Sequence, residues 1–73
     1  MNPTDLLTQF AVLWGICLAG ADGSKFSRMC LYDSKDLSLI FQAWVSEYLA
    51  GEKEEDSNDF FQRKMDEFLN PES

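Results

Sequence analysis

Histidine is absent from this chain. That one absence removes both the commonest general base and the commonest metal ligand. Glycine is scarce too: Gly15, Gly20, Gly23 and Gly51 stand apart from one another, so there is no glycine-rich loop to cradle a phosphate. The two cysteines, Cys17 and Cys30, lack the C-x-x-C spacing of zinc and redox sites. They sit among Ile, Leu and Met, the usual setting of a buried free thiol, and nothing in the sequence supports a bridge between them. The run Asp56-Ser57-Asn58-Asp59 resembles the opening of a calcium loop, but the central glycine and the closing glutamate are missing. The expectation is therefore a protein with no catalytic residues, no cofactor and no metal. Carboxylates are plentiful, but a domain this small seldom builds the pocket that would shift their pKa values.

Positive charge is also in short supply. Six Lys and Arg face thirteen Asp and Glu, for a formal net charge of −7. The imbalance is uneven along the chain. Up to Ser46 four acids meet Lys25, Arg28 and Lys35, a net of −1; from Glu47 onward nine acids meet Lys53, Arg63 and Lys64, a net of −6. Binding phosphate needs cations this surface does not offer, so direct nucleic-acid binding is not expected, and neither are three cations near one turn a basic stripe. Such a surface suits a basic partner, and at the least it keeps an apolar protein in solution.

Long hydrophobic runs are missing as well. The uncharged run Phe10–Gly20 has eleven residues, against the roughly 20 that span a bilayer. Read as a secretion signal it has Ala19-Gly20-Ala21 behind it, but Asp5 and no Lys or Arg precede it, the reverse of the usual charge. Neither a membrane segment nor a leader is expected, and the low cysteine use fits the cytoplasm.

What the chain does have is aromatic bulk. Ten of its 73 residues are Phe, Trp or Tyr. Each can bury on the order of 150–250 Å², more in total than a monomer of this length readily encloses. One domain over residues 1–73 with apolar area left over is the reading that follows.

The order of residues predicts helices. Asn2-Pro3-Thr4-Asp5 is a helix start, with Asn2 as cap, proline in the first turn and an acid at the positive end. Leu6, Leu7, Phe10, Leu13, Trp14, Cys17 and Leu18 then recur at helical period. Ala11, Val12, Ile16 and Ala19 occupy the other faces, so the second half is apolar almost all round, which predicts burial on more than one side. Gly15 interrupts this helix at a cost of about 1 kcal/mol relative to alanine. It falls in line with Ala11 and Ala19, giving a strip along which a second helix could approach; the competing reading ends the helix near Trp14 and starts a strand. Asp33 or Ser34 caps the clearest segment, in which Leu37, Ile40, Phe41, Trp44, Val45 and Tyr48 form an amphipathic stripe stopped by Gly51. Ser57 or Asn58 caps a further helix carrying Phe60, Phe61, Met65, Phe68 and Leu69, ended at Asn70-Pro71.

The predicted fold class is thus all-α: three main helices over about 3–19, 34–50 and 58–69, with a short helix or extended segment at 24–32. The alternative is an α+β fold with a β-hairpin at Asp22-Gly23, because Asp-Gly is a strong hairpin signal. On function, the first expectation is a non-enzymatic protein-interaction module, an acidic inhibitor or adaptor docking on a basic surface, with nucleic-acid mimicry as its sharpest form. Small inhibitors encoded by viruses of bacteria share this size and charge, an analogy of build alone. The aromatic anchors would be Trp14, Phe26, Tyr32 and Tyr48. Steering would come from Glu52, Glu54, Glu55, Asp56, Asp59, Asp66 and Glu67. The alternative is a homodimeric structural or accessory subunit that packs on its copy across Ala11, Gly15 and Ala19, with acidity serving solubility only.

Overall fold

The computed structural model describes residues 2–51 and 55–70. Four helices follow one another: α1 (Pro3–Gly20), α2 (Gly23–Met29), α3 (Ser34–Ala50) and α4 (Ser57–Leu69). Among the described residues there is no strand, and the hairpin alternative is not supported. At Asp22-Gly23 the chain enters α2: Gly23 takes φ +55°, the left-handed region glycine occupies freely, and the amide of Phe26 donates to the Asp22 carbonyl. A tertiary anchor decides for helix here. Met29 is fully buried, and the Arg28 guanidinium reaches across to donate to the Leu69 carbonyl at the end of α4.

The ends of the helices are set by local chemistry. Asn2 Oδ1 accepts from the Asp5 amide at 2.8 Å. Asp33 and Asp36 form a reciprocal capping box at the start of α3, with the Asp36 amide donating to Asp33 and the Asp33 amide to Asp36. Asp56, rather than Ser57 or Asn58, caps α4 through the Asn58 amide. Gly15 does not break α1, which runs unbroken through it.

α1 and α3 lie antiparallel: Thr4 faces Val45 and Ser46 across their interface, while Trp14 faces Ser34 and Leu37. α4 packs against both helices of this pair, and α2 packs against α4. Phe10 sits at the centre, its ring 5.4 Å from Phe61, 6.1 Å from Phe60 and 6.5 Å from Phe41. Leu6, Phe10, Phe61 and Met29 are the largest fully buried side chains. At about 25 cal/mol per Å² of apolar area, these rings dominate the folding free energy.

Burial of α1 is one-sided, which corrects the expectation of a helix enclosed on several faces. Leu6, Phe10 and Trp14 are buried, with Leu7, Leu13, Cys17 and Leu18 packed beside them, whereas Ala11, Val12, Gly15, Ile16 and Ala19 face outward. The cause is where its partners lie: both long neighbours of α1 pack on one side of it, and among the described residues no helix covers the other.

Candidate interaction surface

Four aromatic residues stood as anchors for a partner, and the fold places them unequally. Trp14 is 94 % enclosed, its indole edge-on to Phe41 at 5.8 Å and to Tyr32 and Phe68 at 6.5 and 6.4 Å. Tyr32 is half-buried against Phe68, ring centres 4.7 Å apart. Tyr48 leans on Phe60 at 5.1 Å and donates its hydroxyl to the Glu55 carbonyl at 2.8 Å. All three serve the interior. Only Phe26, 45 % exposed on α2, stands at the surface.

The exposed large apolar residues are a different set: Val12, Ile16, Phe26, Leu31, Leu39 and Leu49, from 45 % to 75 % accessible. Sequence reasoning missed Leu31 altogether and treated Val12 and Ile16 as buried. For α1 the missing information was which side its neighbours would take. At about 100° per residue, Val12 and Ile16 lie nearly opposite Phe10 and Trp14. Between Asp5 and Asp22 the helix has no charged residue, so this outer face is uncharged along its length.

The small residues fall on the same face. Ala11, Gly15 and Ala19 are exposed, and a Cβ built on Gly15 meets nothing within 4 Å. No close helix approach within the chain therefore accounts for Gly15. Beside this face runs a trough between α1 and α3. Its deeper part, about 260 Å³, is lined by Leu7, Ala11 and Trp14 of α1 and by Ser34, Leu37, Ser38 and Phe41 of α3. A continuation of about 240 Å³ passes Pro3, Thr4, Gln42, Val45 and Ser46, again with Leu7 as its wall. None of these lining residues carries a charge.

The charged side of the molecule is α4. Residues 55–70 hold five acids (Glu55, Asp56, Asp59, Asp66, Glu67) and two bases (Arg63, Lys64), a net of −3. The bases are engaged internally. Arg63 donates through Nε and Nη2 to the two oxygens of Glu55, bridges to Glu67 at 3.2 Å and lies 5.3 Å from the Phe60 ring centre. The hydrogen bond to Glu55 holds its guanidinium above the ordinary arginine range. Lys64 pairs with Glu47 at 3.0 Å and more distantly with Glu67. Glu55 and Glu67 are thereby largely answered, and Asp56 is spent on its cap. Asp59 and Asp66 remain exposed, two turns apart on α4, without a cationic partner among the described residues. Glu52 and Glu54 lie outside the described residues.

Among the described residues, no three of His, Cys, Asp and Glu converge to hold a metal ion, and no helix is long and apolar enough to cross a membrane. Cys17 and Cys30 are both free thiols. Cys30 is exposed rather than buried. Compared with known protein families, curated proteins and solved structures, the chain matches none.

Proposed function

We propose that this protein is a non-enzymatic interaction module that acts by occupying the surface of another protein, as an acidic inhibitor or adaptor in the cytoplasm. The observation that carries the reading is the set of six large apolar side chains left outside the core. Single exposed leucines are ordinary. Six such residues on so small a surface, two of them on an uncharged helix face, support a docking role.

The partner-facing end is formed by α2 and α4. Phe26 on α2 and Leu31 just after it supply exposed apolar area. Arg28 ties α2 to the end of α4, the helix that bears Asp59 and Asp66. An exposed apolar contact on a chain of net charge −7 suits a partner with a greasy patch in a basic surround, and the acids would speed encounter more than they would tighten the complex. Nucleic-acid mimicry is the limiting case, in which that basic surround normally holds phosphate. The outer face of α1 is a separate surface, which favours self-association and is compatible with docking elsewhere.

The test is affinity capture of the partner from the native cell, followed by quantitative binding with purified components. Phe26→Asp and Leu31→Asp, both at exposed positions, should weaken the complex at least tenfold, and binding should fall as ionic strength rises. Binding that ignores both substitutions and salt would end this reading.

A further inference from the structure

We infer that the outer face of α1 and the α1–α3 trough form one self-complementary patch through which two copies of this chain pair side by side, their α1 helices pointing the same way. The inference rests on reading the chain as an interaction module, but it uses a different surface from the partner-facing end.

Shape supplies the first argument. Val12 and Ile16 make a ridge on one flank of α1, and the trough past Ala11 and Leu37 lies on the other flank at the same height along the helix. A two-fold axis running along α1 places the ridge of each copy over the trough of the other, the matching of one patch to itself that an isologous dimer requires. An antiparallel pair would set ridge against ridge. Ala11, Gly15 and Ala19 lie between ridge and trough. Gly15, with nothing within 4 Å of a built Cβ, leaves room there for close approach.

Charge supplies the second argument and selects the occupant. Each copy carries −7, so two copies repel unless they meet where neither bears charge. The α1 face and the trough are that place: α1 is uncharged from Leu6 to Gly20, and every residue lining the trough is neutral. A basic partner would gain no charge contact there, since neither this face nor the trough lining bears an acid. Size sets the strength. Two helices wide and about three turns long, the patch covers roughly 300–400 Å² per copy, which places the pair among weak, concentration-dependent contacts rather than permanent dimers.

The test is sedimentation equilibrium of the full chain over a concentration series up to about 1 mM. The mean mass should climb from the 8.4 kDa of one chain toward twice that value. Ile16→Glu on the ridge and, independently, Ser38→Glu on the trough wall should each hold the protein at one chain, with helical circular dichroism unchanged. Leu39→Glu, an equal charge change at another exposed apolar residue, should leave the pairing intact. A wild-type mass that stays at one chain throughout overturns the inference, including the case in which Ile16→Glu disrupts binding to some other protein. Pairing that survives both Ile16→Glu and Ser38→Glu overturns it as well. Neither result touches the reading of the Phe26–Leu31 end, which is measured against the captured partner.

Discussion

Replacing Gly15 by alanine should make this protein more stable. Gly15 sits inside α1 with ordinary helical backbone, since Gly23 is the glycine with positive φ among the described residues. A Cβ added there meets nothing within 4 Å, so no packing is disturbed. What remains is propensity: glycine inside a helix is about 0.5–1 kcal/mol worse than alanine, largely through the freedom it keeps in the unfolded chain. For a domain of this length each kcal/mol moves the melting temperature by about 4–8 °C, which gives a rise of about 2–8 °C. The assay is thermal and urea unfolding at low micromolar concentration, where copies are apart, with an unchanged urea slope and a higher midpoint. Gly23→Ala is the internal control. Its φ of +55° penalises any side chain, so that variant should lose about 1–2 kcal/mol. A destabilised Gly15→Ala protein would refute the reasoning, because it would mean that something within the chain already fills the space beside α1.

Three further substitutions probe the fold. Phe61→Ala removes a fully buried ring that packs on Phe10, Phe41 and Trp44. The expected loss is about 3–5 kcal/mol, enough to unfold a marginal domain, and circular dichroism during a urea titration measures it. Asp33→Ala removes one half of the capping box of α3 and should cost about 0.5–2 kcal/mol, read as a lower urea midpoint at constant slope. Tyr48→Phe deletes the part-buried hydrogen bond to the Glu55 carbonyl while keeping the ring against Phe60. It should cost about 1 kcal/mol, and faster amide exchange near residue 55 would locate the effect.

Legibility in the sequence followed the range of the interactions. α3 could be read almost to the residue because its cap at Asp33, its stripe from Leu37 to Tyr48 and its stop at Gly51 are all local signals. α2 could not be read with the same clarity, since Asp22-Gly23 is as good a start for a hairpin as for a helix. Contacts 41 residues away in sequence, from Arg28 to Leu69, support the helix there, and no local pattern carries that information. Trp14 shows the opposite case. It lies one turn beyond Phe10 on the core stripe, so its burial was present in the pattern and was obscured by the general enrichment of tryptophan at interfaces. Val12 and Ile16 were not legible at all. A helix that is apolar on every side names no inner face, and the choice is made by where α3 and α4 pack. The ion pairs were equally out of reach: composition counts Glu55 and Glu67 as excess charge, whereas the fold brings Arg63 onto both.

The most direct measurement is the solvent contact of individual methyl groups in dilute protein, observed by NMR with a soluble paramagnetic probe. Strong broadening is expected for Val12, Ile16, Leu31, Leu39 and Leu49, with Leu6, Met29, Val45 and Met65 left sharp. Val12 and Ile16 as sheltered as Leu6 in the separated chain would contradict the claim that one helix keeps an unfilled apolar side turned to water.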